Sequence, residues 1–323
     1  MKKKIDFAIG GQAVIEGVMM RSPNYIAIAV RKRDNSIKIK NNPFNSVLNK
    51  LHIQKIPVLR GIVSFVEMMI IGIKALNYSA AENIEGEDFK EGEEPETKAK
   101  PAEKKESVLQ KIFVSAMMVV SIVMALALGL GLFKFLPLYL TELISGKSAF
   151  IQDNYWSYNL IDGVIKIAIF VAYIYLISFI PDLKRVFQYH GAEHKAVRTY
   201  EADLELNAQN AKKQSRFHPR CGTSFVLIVF LISIVFYTFM PSSKEFFPKL
   251  LQRIAVLPFI AGISYEFLKW SAKHEAAWWL KAVITPGLWL QKLTTREPDE
   301  KQLDVALSAI KATLDGEEEA AVV

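Results

Sequence analysis

The sequence predicts a mainly α, multi-pass membrane protein of about four transmembrane helices, with a small N-terminal β element and a cytoplasmic C-terminal helix. Three observations carry that expectation. Apolar residues make up 51% of the 323, and the mean hydropathy is +0.18 although 23% of the chain is charged. Both hold together only if the apolar residues are segregated into blocks, as in a chain that crosses lipid. Four such blocks follow one another between residues 112 and 268. The basic residues behind the net charge of +7 cluster beside these blocks, where they anchor to headgroups. No basic and aromatic interleaving of RNA-binding type is present, so the expected partner is the lipid bilayer and not a nucleic acid.

The first predicted unit, residues 1–80, combines a β element with an interfacial helix. "YIAIAVRKR" and "SIKIKNN" are short β-prone runs that flank Asp34-Asn35, a hairpin turn. "AVIEGVMMR" reads as a third strand. Residues 57–80 read as a helix opened by Pro57. Its apolar core is short and contains Glu67, which suits an interfacial or partly buried helix better than a span. The N-terminus has no clean signal peptide, because Asp6, Gln12 and Glu16 interrupt any apolar run, and it is expected to stay in the cytoplasm. Residues 81–110 form the second unit, a disordered linker. Its stretch 85–107 is nearly all charged and buries too little to offset ordering entropy.

Residues 111–270 are the predicted transmembrane domain, with blocks at 112–140, 161–180, 223–240 and 254–268. A helix needs about 20 apolar residues to cross the hydrocarbon core, so the first three are long enough and the fourth is short. Loop charge sets the topology. The loop 181–222 carries eight Lys and Arg residues, the loop 141–160 one and the loop 241–253 three. The 181–222 loop therefore faces the cytoplasm, with both termini, in a cell (inner) membrane. Few charges lie within the blocks and no broken-helix pair is evident, which argues against a transporter. In the last unit, 271–323, tryptophans follow the fourth block closely and suit the headgroup layer. Pro298-Asp299 then opens an amphipathic helix with Leu303, Val305, Leu307 and Ile310 mostly on one side.

The chemistry concentrates in the 181–222 loop. In "YHGAEHKAV", His190, Glu193 and His194 stand at i, i+3 and i+4, on one face of a helix that would continue the second span past Pro181. H-x-x-E-H is the inverted zincin arrangement, in which two histidines bind zinc and the glutamate polarises the bound water. On its own the motif also fits a polar, solvated helix face. The same loop ends in "FHPRCGTSF", with His218 and Cys221 three apart on a turn forced by Pro219 and Gly222. Three of the five histidines and the sole cysteine thus fall within one loop. Imidazole and thiolate are good ligands for a divalent metal, zinc above all. Cys221 also reads as a small buried hydrophobe, and Thr223 and Ser224 as caps of the third span. Glu16, Arg21, Arg60, Glu266 and His274 are accessory candidates around such a site.

"GGQAVIEGVMMR", "PVLRG", "HGAEHKAV", "HPRCGTSF" and "TPGLWLQKLTTREPDEKQLDVA" run in order from residue 10 to about 310. Taken together they resemble the YqhQ-like bacterial membrane proteins, the domain-of-unknown-function family 1385. The resemblance implies a multi-pass bacterial membrane protein, labelled in that family a metal-dependent enzyme, with His190, Glu193, His194, His218 and Cys221 as motif positions. It brings no substrate. The expectation is a cytoplasm-facing site in which His190, His194 and either His218 or Cys221 ligate the metal. Glu193 would act as general base in hydrolysis at a membrane-associated amide or ester. The rival is a closed structural site of His190, His194, His218 and Cys221 in a scaffold or assembly factor.

Overall fold

The computed structural model describes residues 9–84, 108–148, 150–151, 154–240, 245–273 and 278–320. The predicted linker at 85–107 and the accessory candidate His274 lie outside the described residues. The chain opens with four strands, β1 (Gly10–Val14), β2 (Gly17–Arg21), β3 (Tyr25–Arg31) and β4 (Ile37–Pro43), in an antiparallel meander of order β1-β2-β3-β4. The Asp34-Asn35 turn forms as expected: Asn35 takes φ 64°, and Asp34 Oδ1 accepts from Ser36 N at 2.8 Å. "AVIEGVMMR" is two strands rather than one. Ile15 and Glu16 make a two-residue hairpin, with Glu16 at φ 50° and Val14 opposite Gly17. A charged residue hid the turn, because turn prediction looks for Gly, Asn or Asp at a positive φ.

Side-chain alternation gives this sheet two buried faces. After the short α1 (Val47–Leu51), α2 (Leu59–Ile84) covers one face: Val14, Met19, Ile28 and Val30 pack against its Met68, Ile71 and Ala75. Val18, Met20 and Ala29 face a second core, shared with two helices from far along the chain. These are α6 (Pro181–Glu201) and α12 (Glu300–Ala320), which bring Tyr189, Ala192, Ala196, Leu303, Ala306 and Ile310. The N-terminal sheet, the mid-chain helix and the C-terminal helix are therefore one packed unit. The apolar stripe predicted on the last helix is what buries it there.

Between α2 and α6 lie α3 (Val108–Leu130), a π-helical turn (Gly131–Phe135), α4 (Leu136–Ser145) and α5 (Tyr155–Ile177). After α6 come the short α7 (Ala208–Lys213), α8 (Gly222–Phe239), α9 (Phe246–Ala255), α10 (Leu257–Lys273) and α11 (Trp278–Thr294). The chain is mainly helical. Among the described residues, three helical stretches are long and apolar enough to cross a membrane: Val120–Ser145, Tyr155–Ile177 and Gly222–Phe239. A fourth arises if Phe246–Ala255 and Leu257–Ser271, bent by 42°, form one span. α8 packs against α5, α10 and α11, and α2 lies against α10. There Gly61 meets Gly262: a Cβ on Gly61 would stand 2.8 Å from the Gly262 carbonyl oxygen, so the crossing needs both small residues.

Two sequence expectations about the spans do not hold. The helix ending at Ser145 and the helix starting at Phe246 take in Glu142, Lys249 and Arg253, which the apolar-block reading assigned to loops. Charges near block ends depress the local average, so the blocks appear shorter than the helices. The α9–α10 bend is likewise a break inside an apolar pair.

Candidate metal centre

α6 begins afresh at Pro181 instead of continuing the preceding span. Ile180 is extended (φ −70°, ψ 124°), as a residue before proline prefers, and Pro181 then fits the first helical turn, where no N–H is needed. Ten residues on, Gly191 lies against the segment that links α11 to α12. A Cβ on Gly191 would come within 2.1 Å of the Arg296 carbonyl oxygen, and Arg296 N donates to Phe187 O at 2.9 Å. That close approach places the Thr294 carbonyl beside His190.

His190, His194 and Cys221 form one group, their ligand atoms all within 4.8 Å of one another. His190 Nδ1 donates to Thr294 O at 2.8 Å, and His194 Nδ1 donates to Arg216 O at 2.5 Å. A carbonyl oxygen only accepts, so both rings carry a proton on Nδ1 and turn Nε2 inward. His190 Nε2 stands 3.3 Å from Cys221 Sγ. The two imidazoles, one helical turn apart, have centroids 4.5 Å apart. Tying the outer nitrogen to a main-chain carbonyl is how ligating histidines are held elsewhere in proteins. Tetrahedral bonds of 2.0–2.3 Å place ligand atoms about 3.3–3.7 Å apart, so the group is close to the size that zinc requires.

Cys221 reaches the group because it caps α8. Its backbone is extended (φ −70°, ψ 144°) and its Sγ accepts from Thr223 N at 3.4 Å. The capping expected of Thr223 and Ser224 is done by the cysteine itself. Burial acts to lower the His190 pKa, but the field and hydrogen bond of Cys221 overcome it and hold the ring at about 9. Burial acts to raise Cys221, and His190 and His194 together pull the thiol well below its ordinary value. The sulfur is thereby favoured as thiolate, the form that ligates metals. Glu193 is buried beside them, its Oε2 3.5 Å from His194 Nε2.

His218 is adjacent but turned away. Its ring centroid is 5.6 Å from that of His194, yet its Nε2 faces Glu201 Oε2 at 3.1 Å and its Nδ1 accepts from Arg220 N at 3.3 Å. Burial first of all pushes His218 down, to about 4. Gln291 on α11 fixes this turn: it accepts from His218 N and donates to His218 O, both at 2.8 Å, and also donates to Ser224 Oγ at 3.0 Å. Thr294, Arg216, Gln291 and Glu201 also shape the site, and their residue types carry no such signal in the sequence. Two of them act through main-chain carbonyls, for which residue type carries no signal. Gln291 and Thr294 do lie in the quoted "TPGLWLQKLTT" motif, which was the available clue.

The accessory candidates are engaged elsewhere. Glu16 pairs with Arg185 and accepts from Tyr189 OH at 3.2 Å. Arg21 pairs with Glu67 at 3.4 Å, and Arg60 Nε donates to Glu266 Oε1 at 2.6 Å. These contacts tie the sheet to α6 and α2, and α2 to α10.

Comparison with known proteins adds two findings. Residues 56–316 match the family described as "Protein of unknown function (DUF1385)". "Uncharacterized protein YqhQ" of Bacillus subtilis (strain 168) is 36% identical over 321 residues, covering 97% of this chain and 94% of that one. No solved structure matches the chain.

Proposed function

We propose that this chain, which belongs to the DUF1385 family, is an integral membrane protein with a cytoplasm-facing metal site that serves hydrolysis of a membrane-associated substrate. The reading rests on one observation: His190 and His194 each have Nδ1 fixed on a main-chain carbonyl and present Nε2 beside the Cys221 sulfur. Once His190 gives up its Nε2 proton, it and His194 join the Cys221 thiolate in a borderline-soft donor set, suited to zinc. When bound, zinc supplies a Lewis acid and a water that ionises near neutral pH.

His190 and His194 hold the ion in place, and the thiolate of Cys221 offsets part of its charge. Glu193 provides a carboxylate that takes up a proton next to His194. The engagement of His218 with Glu201 favours catalysis over the closed structural alternative, because three ligands leave a position open where four would close it. Cys221 caps the apolar helix α8, which supports an amide or ester in a lipid or a membrane peptide as the substrate.

The 3.3 Å contact between Cys221 Sγ and His190 Nε2 also favours a second reading, a thiolate nucleophile paired with an imidazolium. The two separate on metal content and chelation. Elemental analysis of detergent-purified protein is expected to find about one zinc or similar ion per chain, absent in a His190→Ala, His194→Ala double variant. Glu193→Gln is expected to retain the ion and to fail complementation. Protein that is metal-free and indifferent to chelators, yet loses function on Cys221→Ser, supports the nucleophile instead.

A further inference from the structure

A second cluster of ionisable groups lies at the other end of α8. Cys221 caps the start of that helix and Tyr237 sits near its end, about 24 Å away at 1.5 Å per residue. Tyr237 is buried at 1% exposure and three cations gather round its ring: Arg253 Cζ at 4.7 Å, Lys166 Nζ at 5.2 Å and Lys134 Nζ at 5.7 Å from the centroid. A fourth, Lys249, stands 4.7 Å from the Tyr158 ring. All four are at least nine-tenths buried.

The anions facing them are fewer. Asp162 takes both Lys166 and Arg253 on one oxygen, Oδ2, with Arg253 Nη1 at 2.6 Å. Glu142 takes Lys249 and accepts from Tyr158 OH at 2.8 Å. Lys134 pairs with no carboxylate among the described residues, and its hydrogen bond is a long one, 3.4 Å to Tyr237 OH. Among the described residues, four buried cations thus meet two carboxylates. A surplus of buried positive charge is costly inside a membrane bundle unless a lysine gives up its proton or an anion completes the set.

Two further features narrow the anion. Asp162 Oδ1 is buried and has no hydrogen-bond partner, so it is an acceptor awaiting a donor. Beside the cluster, Phe135, Tyr139, Phe246 and Phe247 line an apolar groove of ≈ 430 Å³ that has Glu142 in its wall. From these we infer that the bundle binds a hydroxyl-bearing phosphate at Lys134, Lys166 and Arg253, at the end opposite the His/Cys centre. The phosphate oxygens answer the surplus charge and a hydroxyl of the same ligand donates to Asp162 Oδ1. Inorganic phosphate and a glycerol-phosphate lipid headgroup share this chemistry. The groove would take an acyl chain of the second. This site is independent of the proposed hydrolase and stands if that reading fails.

The test is thermal unfolding of the full chain in a neutral detergent, with four probes added separately. These are sodium phosphate, sodium chloride at equal ionic strength, phosphatidylglycerol and phosphatidylcholine. Phosphate or phosphatidylglycerol is expected to raise Tm by several degrees over its control. Lys134→Met is expected to fold, since it removes an unpaired buried charge, and to lose that shift. Lys134→Arg and the exposed-residue control Lys147→Met are expected to keep it. A shift with phosphate identifies the free anion as sufficient, and a shift with phosphatidylglycerol alone identifies the lipid. No shift with either, or an equal shift in Lys134→Met, overturns the inference.

Discussion

Replacing Gly191 by alanine sets two effects of opposite sign against each other. Gly191 lies in the interior of α6, where alanine is favoured over glycine by about 1 kcal/mol. Against this, the new Cβ would stand 2.1 Å from the Arg296 carbonyl oxygen and 3.2 Å from its carbon. Ordinary C···O contact is about 3.3 Å, so α6 and the Arg296 segment must part by about 1 Å. Overpacking of a rigid contact costs about 1–3 kcal/mol, and here the neighbour is backbone. A net loss of about 0–2 kcal/mol is expected, toward the upper end because backbone yields least. The same movement stretches the 2.8 Å bond from His190 Nδ1 to Thr294 O beyond hydrogen-bonding range. Losing such an outer partner of a ligating histidine costs about 10–100-fold in metal affinity. The assay is thermal unfolding in detergent together with a competitive zinc titration. Gly129→Ala serves as control, because a Cβ there meets nothing within 4 Å. The reasoning is refuted if Gly191→Ala matches the control in stability and binds zinc as tightly as the unaltered protein.

Three further outcomes follow from the same geometry. His218→Ala is expected to keep the metal, because its Nε2 is spent on Glu201, and only to lower Tm; metal analysis beside His194→Ala, which should lose the ion, checks this. Gln291→Ala strands the buried His218 N–H and carbonyl and should lower stability by roughly 2–4 kcal/mol, read from unfolding curves. Position 150 lies between the first two apolar helices, so a cysteine there, in a Cys221→Ser background, is expected to react with an impermeant reagent from outside the cell; reaction only from inside would reverse the proposed topology.

Much of this arrangement follows from periodicity that a sequence displays. His190, Glu193 and His194 were found because 3.6 residues per turn puts i, i+3 and i+4 together. Cys221 is legible because it stands three residues from His218, at the end of the same loop. The turn at Asp34-Asn35 and the stripe on α12 declared themselves through turn chemistry and amphipathicity. The contacts that orient the candidate ligands did not. Thr294 and Arg216 contribute carbonyl oxygens, and His218 is diverted by Glu201 from an earlier element. Such pairings depend on tertiary approach, here on the lack of a side chain at Gly191. The packing of the first strands on the last helix is equally non-local. The buried cations were obscured for another reason: Lys249 and Arg253 read as loop charge until α9 placed them inside the bundle.

X-ray absorption at the zinc edge of the zinc-loaded full chain tests the central claim most directly. The account predicts one sulfur at about 2.3 Å and two imidazole nitrogens at about 2.0–2.1 Å, with a light-atom ligand completing the shell. The sulfur should vanish in Cys221→Ser, and His194→Ala should hold no zinc from which to read a shell. A shell without sulfur, or one that loses a nitrogen in His218→Ala, would contradict it.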